Sequence, residues 1–221
     1  MMQPEFWTDR WEQGQIGWHQ DRVHRALPAC WAALGIAPST RVFVPLCGKS
    51  LDMVWLRERG HAVVGIDLSP VAARDFFRER GLAPAIEVRG VLQRWSADGY
   101  EFWLGDLFAL TPDELGPIDA IYDRASLIAL PPEVRPRYCA HLSRLLRPGC
   151  RGLLIAMEYD QSLLAGPPFC VEECEIVAGF APGTSVRTME RVTIPADNPR
   201  FREAGVDSLL EAAYALECVQ R

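Results

Sequence analysis

From Arg41 onward the apolar positions alternate between two rhythms. "RVFVPL" and "HAVVGIDLS" are short continuous Val/Ile/Phe runs, the pattern of strands covered on both faces of a sheet. "SLDMVWLRERG" and "PVAARDFFRERG", which follow them, carry helical patterns that close on Gly60 and Gly81, as expected of C-terminal glycines. Pro70 falls in the first turn of the second helix with Ser69 available as its cap. Strand, helix, strand, helix predicts parallel pairing, because a short turn cannot join parallel neighbours.

Farther along, "AIEVRGVLQRWSADGYEFWLGD" holds two β-rich runs about "SADG", a hairpin signal with Asp98-Gly99 at the turn. "GPIDAIYDRASLIALP" supplies a buried strand ending near Asp123. "PPEVRPRYCAHLSRLLRPG" reads as a helix, with Val134, Tyr138, Leu142 and Leu145 spaced by three or four, and Pro148-Gly149 stops it. "RGLLIAMEY" is the next central strand. In the tail, "CVEECEIVAGF" reads as a helix, and "TSVRTMERVTI" and "LLEAAYALECV" as closing strands, although propensity alone would also allow helix for the last run. Residues 1–40 carry Trp7, Trp11, Trp18 and Trp31 before the first strand, which predicts a helical, aromatic cover packed on the sheet. "LLAGPPF" and "IPADNPRFREAG" are loops too short to be interdomain linkers and read as loops over a site. The expectation is one domain, 1–221.

Composition narrows the partners. With 49% apolar residues, 221 residues can build one sizeable core. The net charge of −6, with no long basic run, argues against nucleic acid or an anionic membrane surface and for a small-molecule ligand. No run has the length of a signal peptide's apolar core or of a spanning helix, so a cytoplasmic protein is expected, and no heptad or long apolar edge calls for a dimer, so a monomer is. The seven cysteines contain no Cys-x-x-Cys pair. Cys170 and Cys174 stand at the spacing of one helix face, but two thiols without a nearby histidine make a poor zinc site, and no metal is expected.

The chemistry concentrates at "VFVPLCGKSLDM". Its Gly-Lys-Ser looks like the end of a phosphate-binding loop, yet Phe43 stands where such a loop needs a glycine, and Pro45 removes a backbone donor. Leu46-Cys47-Gly48-Lys49-Ser50 is instead the first strand-to-helix turn, where ligands of open α/β sheets bind. Gly48 permits close approach, and the N–H groups opening the next helix supply polarity. Asp67, nineteen residues after Gly48 at the end of the second strand, is placed to accept hydrogen bonds from a ribose diol; capping the next helix is its bland alternative, and Ser69 fills that role as well. The glycines that a pyrophosphate requires are absent, which favours S-adenosylmethionine over a dinucleotide, and the β-rich tail suits a methyltransferase sheet.

The chain resembles the thiopurine S-methyltransferases, particularly the bacterial ones, through "FWTDRW", "GWHQ", "PLCGKSLDM", "GIDLS", "YDRASLIALPP", "GPPF" and "AGVDSLLE". The resemblance implies a Rossmann-like class I methyltransferase fold, a seven-stranded mostly parallel sheet with helices on both faces, and methyl transfer from S-adenosylmethionine to sulfur by in-line displacement, releasing S-adenosylhomocysteine. It implies cofactor contacts at Trp11, Leu46, Gly48, Asp67, Asp106, Leu107 and Arg124, where Asp67 is shorter than the family's usual glutamate. For Asp106 a helix cap is the alternative, and for Arg124 a salt bridge to Asp119 or Asp123. Trp18, Arg124 and Arg200 are implied to position the acceptor, Trp18 in an aromatic lid and Arg200 with a solvated loop charge as its alternative. No general base is needed, because a heterocyclic thiol is largely anionic at neutral pH, and His19 is set aside as one. The acceptor is a thiopurine-like thiol, or a selenium or tellurium compound in metalloid detoxification. A non-catalytic nucleotide-binding module and a dinucleotide-dependent oxidoreductase are the readings from other classes.

Overall fold

The structure is a computed structural model that describes residues 4–181, 183–196 and 198–219. Asp197, inside the "IPADNPRFREAG" loop, and residues 1–3 of the expected cover lie outside the described residues. In chain order the elements are α1 (Pro4–Glu12), α2 (Leu27–Ala33), β1 (Arg41–Val44), α3 (Leu51–Glu58), β2 (Ala62–Asp67), α4 (Pro70–Arg78), β3 (Ala85–Arg89), β4 (Leu92–Ala97), β5 (Tyr100–Leu104), α5 (Pro112–Leu115), β6 (Ala120–Arg124), α6 (Arg135–Leu145), β7 (Arg151–Glu158), α7 (Glu173–Phe180), β8 (Thr184–Pro195), α8 (Pro199–Glu203) and β9 (Ser208–Cys218).

Among the described residues nine strands form one sheet, in the order β3-β4-β5-β2-β1-β6-β7-β9-β8. The middle, β5 to β7, is parallel, as the strand-helix alternation requires. Both edges are antiparallel: β4 and β3 beyond β5, and β9 and β8 beyond β7. Strand order reverses at β1, which pairs with β2 on one side and β6 on the other.

The count of nine corrects the seven implied by the resemblance and exceeds by one the eight runs read as strands in the sequence. The first β-rich run, read from sequence as one strand of a hairpin, folds as two, because Gly90 at φ +58° turns the chain between β3 and β4. Asp98 and Gly99 both take positive φ at the β4–β5 turn, as a two-residue hairpin demands. Cys170 precedes α7 and so does not share its face with Cys174. The last run is strand: β9 pairs along its length with both β7 and β8, so tertiary pairing overrides its helical propensity.

Strand side chains alternate between two cores. Val42 and Val44 face the core formed with α2, α3 and α4, while Phe43 faces the core formed with α6 and α7. Ser69 caps α4, its Oγ accepting from the Ala72 amide at 3.2 Å. On α6, Tyr138, Leu142 and Leu145 are buried as their spacing predicts. Within the leader Trp11 and Trp31 are buried, whereas Trp7 and Trp18 are partly exposed. No helix among the described residues is long and apolar enough to cross a membrane.

Candidate active site

The turn after β1 departs from ordinary backbone twice, Leu46 at φ +44° and Gly48 at φ +51°. Ala125, in the turn after the neighbouring β6, lies at φ +67°. Such conformations persist in non-glycine residues only where the surroundings hold them, and they cluster at functional sites. Here the surroundings are visible. The Gly48 amide donates to Asp67 Oδ2 at 2.8 Å, and the Ser69 amide donates to Asp67 Oδ1 at 2.9 Å, so one carboxylate ties the β1 and β2 turns together. Burial raises the Asp67 pKa, opposed by those same N–H donors. Ser126 Oγ donates to the Pro45 carbonyl at 3.0 Å, tying the β6 turn to the β1 turn.

Arg124 projects into the cavity between these turns. Its side chain is 15% exposed, and its one ionic partner among the described residues is Asp52, with Nη1 3.5 Å from Oδ2. That separation is an ion pair rather than a hydrogen bond, and the described residues offer the guanidinium no hydrogen-bond acceptor. Tyr122, also on the cavity wall, donates its hydroxyl to Asp52 at 2.9 Å. Lys49, also on the wall, is paired with Glu79 at 2.6 Å. Aromatic rings close the opposite wall: Trp11 and Trp18 meet edge to face at 6.0 Å, and Trp18 meets Trp7 at 5.1 Å. A Cβ on Gly48 would stand 3.1 Å from Trp11 Cζ2, so the indole lies directly over the glycine. His19 lines the cavity too, its pKa held below the ordinary value by burial and then by the Lys49 ammonium.

A model of the thiopurine S-methyltransferase family matches residues 2–219. The chain belongs to this family. Among its relatives, the thiopurine S-methyltransferase of Pseudomonas entomophila is 50% identical over 97% of this chain and 99% of that protein. That of Nitrosospira multiformis is 44% identical over 97% and 98%. Among solved structures, the 1,6-didemethyltoxoflavin-N1-methyltransferase of Burkholderia thailandensis, bound to its substrate and S-adenosylhomocysteine, superposes with a TM-score of 0.66 at 19% identity, covering 98% of this chain and 87% of that one. The magnesium protoporphyrin IX methyltransferase of Synechocystis, with S-adenosylhomocysteine bound, gives 0.65 at 16% identity over 97% and 99%. Both share the methyltransferase fold.

In this member of the family the expected residues divide into two groups. Trp11, Trp18, Leu46, Gly48 and Arg124 line one cavity, and Asp67 joins it through the Gly48 amide. The Gly105 amide donates to the Asp67 carbonyl at 2.9 Å, which brings the segment holding Asp106 and Leu107 alongside. Asp106 itself caps a short 3-10 turn, its Oδ1 accepting from the Phe108 amide at 2.9 Å, and Leu107 is buried in the core. Arg200 stands apart from the cavity wall: it lies on α8 and donates to the carbonyls of Pro167 at 2.6 Å and Gly166 at 3.2 Å. The salt bridge to Asp119 or Asp123 that stood as the alternative role of Arg124 is not formed; its ion pair is with Asp52. Asp119 pairs with Arg147, and Asp123 accepts from the Tyr138 hydroxyl at 2.7 Å. Sequence reading missed Asp52 and Tyr122, which sit seventy residues apart and carry no local signal of their contact.

Proposed function

We propose that this protein transfers the methyl group of S-adenosylmethionine to the sulfur of thiopurine-like heterocyclic thiols. Family membership across residues 2–219 carries the reading, and the cavity supports it. S-adenosylmethionine fits the residues on two counts. Arg124 offers partly buried donors that have no acceptor among the described residues, as a ligand carboxylate or thiolate requires. The positive-φ turn at Gly48 lies on the cavity wall, where the bare glycine lets the Trp11 indole close over the backbone.

In this reading Leu46 and Gly48 give backbone contacts, Asp67 accepts from the ribose with the lone pairs its two amide donors leave open, and Trp11 covers the ligand. Asp106 and Leu107 border the adenine edge. When bound, S-adenosylmethionine supplies a methyl group already activated by its sulfonium. The chain therefore has to orient the acceptor in line and exclude water. Trp18 provides an aromatic wall for the acceptor ring. Arg124 attracts the acceptor's negative charge, and Arg200 acts from the side of the Gly166-Pro167 loop it holds. No side chain need remove a proton from an acceptor that arrives as a thiolate, and His19, whose pKa burial lowers, is suited to lining the cavity. The same reading takes the chain as one domain, acting as a monomer in the cytoplasm.

Calorimetric titration with S-adenosylhomocysteine tests the cofactor assignment. Wild type should bind at micromolar concentration, and Asp67→Ala should lose affinity by about tenfold or more, the cost of leaving buried donors unpaired. Absence of binding to wild type would overturn the assignment. Turnover on a panel of heterocyclic thiols, with selenium and tellurium oxyanions as the other arm, then identifies the acceptor; binding without turnover on either arm would leave a ligand-binding module.

A further inference from the structure

We propose that Asp52 is a positioning residue: it holds the Arg124 guanidinium toward the cavity and fastens the leader segment to the same point. The inference deepens the methyl-transfer reading and rests on it for its kinetic arm.

Asp52 is the second residue of α3, four positions after Gly48, and is 1% exposed. A carboxylate so buried must be compensated, and its partners come from two distant parts of the chain. Oδ1 accepts from the His24 amide of the leader at 2.7 Å. Oδ2 accepts from the Tyr122 hydroxyl of β6 at 2.9 Å and faces Arg124 Nη1 at 3.5 Å. The leader is secured again two strands over, where His24 Nε2 lies 3.1 Å from Glu211 Oε2 and Arg25 Nη2 lies 2.9 Å from Glu211 Oε1 on β9.

The geometry of the Arg124 contact sets it apart from a structural salt bridge. A carboxylate placed for bidentate hydrogen bonding would occupy the guanidinium fork. At 3.5 Å, Asp52 balances the charge and fixes its direction while leaving the N–H groups open to a ligand. The other cation on the wall, Lys49, is by contrast engaged by Glu79 at hydrogen-bond distance, 2.6 Å. Asp52 thus keeps one cation available in the cavity, and the chain that carries Trp18 and His19 is stitched down six residues later by the same carboxylate.

The experiment is a double-mutant cycle of Asp52→Asn with Arg124→Gln, read in acceptor kcat/KM, together with hydrogen exchange at the His24 amide without ligand. Asp52→Asn keeps the side chain's shape and removes its charge. It should lower kcat/KM about tenfold in the wild-type background and less than about twofold in the Arg124→Gln background, since residues acting as a unit are not additive. Exchange at His24 should quicken. Equal losses in both backgrounds, or wild-type kcat/KM and wild-type exchange in Asp52→Asn, would overturn the proposal. Asp52→Glu, which keeps the charge, should retain more activity than Asp52→Asn; the reverse order would also overturn it. Where wild type neither binds S-adenosylhomocysteine nor turns over a thiol, the functional reading fails by itself, and His24 exchange still decides the tether.

Discussion

Gly48 meets two constraints at once: a φ of +51° and an indole 3.1 Å from where its Cβ would be. Gly48→Ala should therefore weaken S-adenosylhomocysteine binding and lower stability by about 1 kcal/mol or more, measured by calorimetry and urea denaturation. Asp123, buried next to Arg124 in β6, has its pKa raised to about 6, first by burial and against the hydrogen bonds of Tyr138 and Ser126. Because the folded value lies above the unfolded value of about 3.9, the folded state holds the proton more tightly. Its contribution to stability is present below the unfolded pKa and is lost as pH rises through about 6. Asp123→Asn should flatten the fall in Tm across that window. The sequence disclosed residues whose signal is local, such as Gly48 in its turn and Asp67 at a fixed distance from it. It concealed Asp52, because a buried aspartate near a helix start looks like any other until Tyr122 and His24 are brought to it.

At the scale of elements, β2 and α3 approach closely only because Gly65 lacks a side chain: a Cβ there would meet Cys47 Sγ at 2.6 Å and Met53 Cε at 2.9 Å. Gly65→Ala should destabilise the protein by about 1–3 kcal/mol in denaturant unfolding, the range for overpacking a core, and should disturb the Leu46–Gly48 turn that Cys47 anchors. The exposed edge behaves oppositely. Val88 on β3 is 75% exposed, so Val88→Lys should leave stability within about 0.5 kcal/mol while blunting the free outer edge of that strand. The parallel core was legible because apolar runs and helical patterns alternate without interruption from Arg41. The β3–β4 turn was not, since one glycine inside a β-rich run signals a bulge as readily as a reversal.

For the molecule as a whole, the order of strands in space differs most from the order in sequence at the C-terminal side. β9 lies between β7 and β8 although it follows both. Periodicity identifies strands but not such an insertion, which depends on which edges remain unpaired when the last strand arrives. The leader's attachment is hidden for the same reason: His24 reaches Glu211 across 187 positions. During synthesis β7 emerges with one edge open, and β8 emerges with nowhere to pair until β9 leaves the ribosome. A chain released before Ser208 should accumulate as aggregate in expression trials, however complete its cavity residues. The tail, remote in sequence from Gly48 and Arg124, thereby sets the moment at which the growing chain ceases to need protection from its neighbours.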